Sequence, residues 1–311
     1  MSAAEKLSPV YEVVCDTSDR DAWLDERAQG IGASEIAMVL GEAPESWGNA
    51  LSLYAQKIGK YERDLSDVEA VYWGNKLEAS ILDAYQERTG RVTKREGLLL
   101  RSKLHPWALC TLDGKTWEPA NDGRRWPLEV KNVSGFKAGE WVDGPPEYYF
   151  LQVQQQMLVT GEEKATVAAL IGGQRMVWAD VPRHEITINK IIYHGARFWE
   201  RVQRRDVPAP DGTEGTKRAL AALYPQGSGV TVLPHSAIES ADELESVKAE
   251  IKRLTERKDE IENTVRAALG DAEIGAMTDG RSFSWKQQTR KECVMPASTF
   301  RVLRLHQSKK R

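Results

Sequence analysis

The spacing of apolar and polar residues predicts a series of helices and strands up to about residue 205. Apolar residues recur at helical spacing in four segments, residues 33–40, 73–89, 148–160 and 185–205. Glycines 41, 90 and 161 follow the first three segments, at the position where helices commonly end. Strand patterns occupy residues 97–101, 108–112, 127–133, 165–171 and 175–181. This order predicts an α/β fold with helices packed on a sheet.

The pattern changes after a linker at residues 207–212, which divides the chain into predicted domains 1–210 and 211–311. Residues 241–269 carry a heptad stripe that is typical of a coiled-coil helix. Its apolar members are Leu244, Val247, Ile251, Leu254, Ile261 and Val265, and Lys258 interrupts them. This helix either pairs with another chain or lies on its own parent domain. Short strands are predicted at residues 281–285 and 300–305, as a basic C-terminal β extension.

Composition and charge narrow the class of protein. Hydrophobic residues make up 41% of the 311 residues, and no apolar run is long enough for a transmembrane helix. The N-terminus lacks the apolar core of a signal peptide and three cysteines are widely spaced, so we expect a cytoplasmic protein. The net charge of −3 is mild evidence against nucleic-acid binding. Residues 281–311 nevertheless hold nine Lys or Arg and one acidic residue, which suits either a phosphate-binding surface or a solvated tail.

Two acidic residues and one lysine form the main candidate site. Asp113 follows a predicted strand, and Glu129 and Lys131 point to the same face of the strand at 127–133. If these two strands are neighbours, as we expect, the three side chains converge on one side of the sheet. Two neighbouring carboxylates repel unless a cation joins them, and oxygen ligands suit Mg²⁺, with Mn²⁺ as a substitute. The Val130 carbonyl is a further candidate ligand, and Lys131 would lie near the attacking water or the scissile phosphate. The alternative is a surface salt bridge between Glu129 and Lys131. The sequence Glu-Val-Lys alone favours this salt bridge over a metal site.

Four further residues are candidates for the same chemistry. Glu78 lies at the edge of the apolar stripe of its helix, where it needs a partner such as a metal-bound water or Lys131. Gln152 has an amide that can orient a water or a phosphate. Arg27 and Ser34, at the start of a short helix, together suit a terminal phosphate. Each has a plainer alternative. Glu78 could be a boundary glutamate that reaches solvent, and Gln152 a core glutamine bonded to backbone. Ser34 could be a simple helix cap beside a solvated Arg27.

Five motifs in one order give the chain a resemblance to a known family. They are Arg27 with Ile31-Gly32-Ala33-Ser34-Glu35, Trp73-Gly74-Asn75-Lys76-Leu77-Glu78, Thr111-Leu112-Asp113-Gly114, Leu128-Glu129-Val130-Lys131 and Tyr149-Phe150-Leu151-Gln152-Val153-Gln154. Over residues 27–205 the chain resembles the YqaJ-like viral recombinase family, the lambda-type exonucleases of the PD-(D/E)XK nuclease superfamily. Where that family commonly has Ser-Pro before the aspartate, this chain has Thr111-Leu112.

The resemblance implies a restriction-endonuclease-like mixed central sheet and a role for each candidate residue. Asp113 and Glu129 would bind Mg²⁺ with the Val130 carbonyl, Lys131 would assist the nucleophilic water, and Glu78 and Gln152 would complete the site. Arg27, Ser34 and Thr111 match positions that hold the 5′-phosphate of the digested strand.

The implied activity is 5′-to-3′ digestion of double-stranded DNA, which leaves a 3′ overhang for a single-strand annealing protein in phage-type recombination. The resemblance also implies a ring-shaped homotrimer and, for a phage-encoded protein, the cytoplasm of a bacterial host. An endonuclease of the same superfamily, nicking or restriction-like, and a non-enzymatic DNA-binding adaptor remain the alternatives.

Overall fold

Contacts within the chain divide it into two units, Met1–Tyr224 and Pro225–Arg311. The computed structural model describes residues 10–62, 65, 67–120, 123–290 and 301–305. The first unit extends past the predicted domain boundary at residue 210, because a further helix, Glu214–Leu223, packs against the helix Ala50–Lys57.

The helices of the first unit agree in order with the apolar periodicity and include several that the periodicity did not indicate. They are α1 (Arg20–Arg27), α2 (Ile36–Leu40), α3 (Ala50–Lys57), α4 (Glu69–Thr89), α5 (Glu147–Thr160), α6 (Glu185–Arg204) and α7 (Glu214–Leu223). The first predicted helix is in part a 3₁₀ turn, Ala33–Glu35, followed by α2. Gly41, Gly90 and Gly161 end α2, α4 and α5 in the left-handed conformation, as predicted.

In the described part of this unit, nine strands accompany the helices and form two sheets. They are β1 (Tyr11–Asp16), β2 (Ile31–Gly32), β3 (Val92–Arg95), β4 (Leu98–Ser102), β5 (Ala108–Thr111), β6 (Gly114–Trp117), β7 (Trp126–Val133), β8 (Lys164–Ile171) and β9 (Arg175–Pro182). The sheet orders are β1-β4-β5-β2 and β3-β6-β7-β8-β9. Each sheet contains one parallel pair, β2–β5 and β7–β8, and antiparallel pairs otherwise. The predicted α/β class with mixed sheets flanked by helices is confirmed.

The strand before Asp113 belongs to a different sheet from the strand that carries Glu129. The expectation that these two strands are neighbours is therefore wrong, because β5 pairs with β4 and β2. Asp113 instead lies between β5 and β6, and β6 pairs with β7 so that Gly114 is opposite Leu128. The crossing of the chain from one sheet to the other brings Asp113 to the strand of Glu129.

Helix α5 packs against both sheets and is the central core helix of the first unit. Every residue of its last ten positions, from Leu151 to Thr160, is buried. Leu151 belongs to one hydrophobic cluster and Met157 to another, so the helix has apolar neighbours on more than one side. Four polar positions in this environment, Gln152 and residues 154–156, must therefore bond within the protein.

The second unit contains a long helix, α8 (Ser236–Leu269), and a hairpin of β10 (Ile274–Ala276) and β11 (Ser282–Ser284). Helix α8 includes the predicted heptad segment 241–269. Strand β11 lies within the predicted strand 281–285. The prediction of a strand at 300–305 is wrong for residues 301–305, which form no regular element, and residue 300 lies outside the described residues.

Candidate functional site

The predicted site residues Asp113, Glu129 and Lys131 lie together at the middle of β7. The backbone N–H of Val130 donates a hydrogen bond of 2.9 Å to Asp113 Oδ2. Glu129 is 2% exposed and accepts a short hydrogen bond from the Lys131 ammonium. Lys131 also lies over the ring of Tyr149, with Nζ 5.0 Å from the ring centroid. Asp113 and Lys131 both remain partly exposed, so the cluster has access to solvent.

The charges of this cluster interact strongly. Burial and the Glu129 carboxylate raise the pKa of Asp113 well above its ordinary value, although Lys131 and the Val130 N–H oppose the shift. Burial works against the charged form of Lys131, but Glu129 and Asp113 outweigh it and raise the pKa of this ammonium. Lys131 is therefore a cation at neutral pH, and one ammonium does not fully offset two neighbouring carboxylates.

Two glutamines of α5 hold the Glu129 carboxylate from the opposite side. Gln152 Nε2 donates to Glu129 Oε1 at 2.5 Å, and Gln156 Nε2 donates to Glu129 Oε2 at 2.5 Å. These glutamines are four residues apart on one helix, so their side chains share a face. Gln152 was a candidate from the sequence, whereas Gln156 was missed. The available signal was its i, i+4 spacing from Gln152 on the same predicted helix.

The orientation of these amides leaves their two oxygen atoms without a hydrogen-bond donor among the described residues. An ionised carboxylate only accepts hydrogen bonds, so each amide must turn its NH₂ toward Glu129. The Oε1 atoms of Gln152 and Gln156 are then buried, and within the described part of the chain they have no hydrogen-bond partner. An oxygen of this kind can accept a bond from water or coordinate a cation.

Glu78 lies near the cluster but has a partner that differs from the predicted ones. Arg95 Nη2 is 2.9 Å from Glu78 Oε1, and this pair replaces the expected contact with Lys131. Glu78 is close enough to Asp113 to contribute to the rise of its pKa. Glu78 thus lies at the edge of the cluster, on α4, rather than inside it.

Arg27 and Ser34 contact each other directly, through a hydrogen bond of 2.9 Å from Arg27 Nη2 to Ser34 Oγ. Ser34 does not cap the helix as predicted, because Gly32 occupies the cap position and Ser34 lies inside the 3₁₀ turn. The Gly32 N–H donates to Glu35 Oε2 at 2.7 Å, so this amide is bound by a carboxylate of the chain itself. The side chain of Arg27 remains 26% exposed.

A buried ion-pair network that the sequence did not indicate lies beneath Arg27. Glu35 Oε1 is 3.0 Å from Arg27 Nη2, and Glu35 Oε2 is 2.7 Å from Lys57 Nζ. Burial acts against the charged form of Glu35, but Lys57 and Arg27 outweigh it and lower the pKa of Glu35 to about 2. The network holds two cations and one anion, so it carries a net positive charge.

Thr111 connects this cationic cluster to the carboxylate site. Trp23 Nε1 donates to Thr111 Oγ1 at 3.3 Å, and the guanidinium of Arg27 lies 4.9 Å from the centroid of the Trp23 ring. The carbonyl of Thr111 is 3.5 Å from Gln156 Nε2, which also binds Glu129. The structure therefore places the two groups of candidate residues next to each other.

Among the described residues, no group of three or more His, Cys, Asp or Glu side chains is arranged to hold a metal ion. A cation at this site would thus have two carboxylates, Asp113 and Glu129, with neutral oxygens completing its shell.

Within the described part of the chain, no helix has the length and hydropathy needed to cross a membrane.

Comparison with known proteins assigns the chain to a family. The model of the YqaJ-like viral recombinase domain matches residues 22–163. The protein YqaJ of Bacillus subtilis (strain 168), which is uncharacterized, is 30% identical over 272 residues, 85% of this chain and 83% of the relative. The chain belongs to the YqaJ-like viral recombinase family.

A solved structure shows which fold the chain adopts. The alkaline exonuclease LHK-Exo in complex with dAMP is 20% identical, with a TM-score of 0.50 over 65% of this chain and 99% of that one. A further crystal structure of this exonuclease, from Laribacter hongkongensis, is 19% identical, with a TM-score of 0.49 over the same shares. The likeness at a TM-score of 0.50 shows that the chain has a restriction-endonuclease-like fold, which it shares with this exonuclease.

Proposed function

We propose that the protein is a divalent-metal-dependent exonuclease that digests one strand of duplex DNA from its 5′ end and leaves a 3′ single-stranded overhang. The observation that carries the proposal is the meeting of Asp113 and Glu129 beside Lys131, on a nuclease-type fold. The family membership supports a role in phage-type recombination, in the cytoplasm of a bacterial host.

The donor atoms of the site fit Mg²⁺, with Mn²⁺ as a substitute. Mg²⁺ is typically bound by one or two carboxylates, substrate phosphate oxygens and several waters. Asp113 and Glu129 supply two carboxylates. Burial and repulsion from Glu129 together raise the pKa of Asp113, and a bound cation would offset both effects. The N–H and C=O of a strand residue point to the same side, so the Val130 carbonyl also faces Asp113. The buried Oε1 of Gln152 is a further neutral oxygen that could serve as a metal ligand.

The bound ion would polarise the scissile phosphate and lower the pKa of a water molecule. Lys131, which stays protonated, would stabilise the negative charge that develops on the phosphate rather than accept a proton. Gln152 and Gln156 would hold the Glu129 carboxylate in one orientation. We assign Glu78 a supporting electrostatic role at the edge of the site, because Arg95 binds its carboxylate.

We assign the 5′-phosphate of the digested strand to Arg27, Ser34 and Thr111. Support comes from the Arg27–Ser34 bond, from the Trp23 link to Thr111, and from the net positive charge of the network around Glu35. The phosphate would compete with Glu35 for Arg27, which has donors to spare. A pocket for a terminal phosphate suits an enzyme that starts at DNA ends.

The proposal includes a single-strand annealing protein, which would use the 3′ overhang, and a homo-oligomeric ring that encircles the duplex. The ring trimer rests on the family resemblance alone. Sedimentation of the full chain with and without linear duplex tests it, and a monomer in both conditions would contradict it.

One assay tests the activity. Linear and covalently closed circular duplexes of the same sequence are incubated with the protein, with Mg²⁺ or with a chelator, and each strand is end-labelled. We expect Mg²⁺-dependent loss of the 5′-labelled strand from the linear duplex only. Cleavage of the closed circle would favour the endonuclease alternative instead.

The adaptor alternative predicts no hydrolysis at all. Under the proposal, Asp113→Ala and Lys131→Ala abolish digestion while the chain still binds duplex ends. If the unsubstituted chain and Asp113→Ala process DNA equally, the site is not catalytic and the adaptor interpretation holds.

A further inference from the structure

The apolar stripe of α8 faces solvent along most of its length. Each residue of this helix is at least partly exposed. Five of its six apolar members, Leu244, Val247, Ile251, Leu254 and Ile261, are between 37% and 59% exposed. Apolar side chains repeated at this spacing on one face of a helix normally pack against another helix. We therefore expect a partner helix to pack against the stripe.

The stripe defines one heptad register over four repeats. Alternating steps of three and four residues place Leu244, Ile251, Lys258 and Val265 at position a, and Val247, Leu254, Ile261 and Ala268 at position d. Lys258 is the one charged residue in these eight positions. A single lysine at position a lowers stability but favours a defined register, because misaligned copies would bury the ammonium against apolar side chains.

The flanking charges show which partner the stripe fits. In a parallel coiled coil of identical helices, each g residue faces the e residue of the next heptad in the other copy. This register sets Glu243 at g against Lys248 at e, and Arg257 at g against Glu262 at e. Both charged pairs are attractive, and symmetry makes each occur twice in a pair of helices. An antiparallel pair that overlaps the whole stripe would instead set Arg257 against Arg257.

We infer that α8 is a self-association helix, which forms a parallel, in-register coiled coil with a second copy of this chain. The occupant of the exposed stripe is thus the same stripe of another copy, and the Glu243–Lys248 and Arg257–Glu262 pairs fix the alignment. The inference concerns the second unit alone and stands independently of the proposed nuclease activity.

Symmetric disulfide formation tests the parallel arrangement. Leu244→Cys and Val265→Cys are made separately in the full chain, with Cys15→Ser and Cys293→Ser as background. The two positions are 21 residues apart, about 30 Å along the helix at ~1.5 Å per residue. In a parallel, in-register coil, each variant forms a disulfide-linked dimer with itself under mild oxidation. Ala249→Cys, at position f on the opposite face, is the matched control.

The outcomes of this test are distinct. In an antiparallel pair that overlaps the whole stripe, position a faces position d, so Leu244→Cys would cross-link with an added Ala268→Cys variant and not with itself, and that result would overturn the inference. No cross-linking above the Ala249→Cys control would also overturn it. Because the readout is proximity, the result does not depend on whether the chain hydrolyses DNA.

Charge substitutions test the partner's identity as a copy of the same chain. In the Leu244→Cys background, Glu243→Lys or Lys248→Glu alone sets like charges against each other, and we expect about tenfold weaker self-association. A mixture of the two variants restores both attractive pairs and should cross-link like the unsubstituted register. Equal cross-linking of every combination would contradict the assigned g–e pairing.

Discussion

Substitution of Gln156 by methionine isolates the part of the site that only the structure reveals. Gln156 is fully buried, and its Nε2 donates to Glu129 Oε2 at 2.5 Å. Methionine has a similar length and apolar character suited to the interior of α5, so the change removes a donor without opening a large cavity. Glu129 Oε1 keeps Lys131 and Gln152, while Oε2 loses the one donor assigned to it within the described chain.

The expected effect follows from the strength of this hydrogen bond. A hydrogen bond to a charged group contributes about 1.5–3 kcal/mol. Groups that orient a metal ligand typically change metal affinity or activity by about 10–100-fold when removed, or about 1.4–2.7 kcal/mol. We therefore expect the Mg²⁺ concentration for half-maximal digestion of linear duplex to rise by about 10–100-fold.

Gln154→Met is the matched control, because Gln154 is a fully buried glutamine of the same helix. Its amide bonds to the Pro182 carbonyl and the His184 N–H, away from Glu129. Both variants lose buried hydrogen bonds, so both should lower the free energy of unfolding in urea. Only Gln156→Met should shift the Mg²⁺ titration, measured by digestion and by calorimetric metal binding.

Two results would refute this reasoning. The first is an unchanged Mg²⁺ dependence in a folded Gln156→Met protein. The second is an equal shift in Gln154→Met, since it would trace the effect to the stability of α5 rather than to the orientation of Glu129.

Three further predictions concern the charged residues. Arg27→Ala should remove the preference for 5′-phosphorylated over unphosphorylated ends and leave the Mg²⁺ titration unchanged; equal rates on both ends in the unsubstituted protein would contradict the pocket. Asp113→Asn should reduce digestion about a thousandfold or more, because metal activation supplies several kcal/mol. It should leave the metal-free melting temperature equal or higher, because it removes a repulsion with Glu129; a clear drop in melting temperature would argue against that repulsion. Lys57 and Arg27 outweigh burial and lower the pKa of Glu35 from 4.5 to about 2, so the ionised form of Glu35 stabilises the fold above pH 4.5 by about 3 kcal/mol and this contribution is lost as pH falls toward 2. Urea unfolding from pH 7 to pH 3 should show the difference between the unsubstituted chain and Glu35→Gln shrinking in the acid, and parallel curves would count against it.

The sequence alone determined the elements with long, regular periodicity and the strand that carries two of the candidate site residues. Helices α4, α5, α6 and α8 and strands β7, β8 and β9 repeat their apolar spacing often enough for it to be read without a structure. The same alternation put Glu129 and Lys131 on one face of β7, and the structure joins them by a hydrogen bond.

Only the tertiary structure decided which residues complete the site. Short elements such as β3 and β6 hold four residues each, too few for a period to stand out, so the pairing of β6 with β7 was not predictable. The partners of Glu129 and Glu35, which are Gln156 and Lys57, come from 27 and 22 positions further along the chain. Periodicity reports which face of an element is buried, but not which distant side chain meets it there. That choice depends on how helices and sheets pack, because burial obliges each polar group to find a partner among whatever residues the fold brings near.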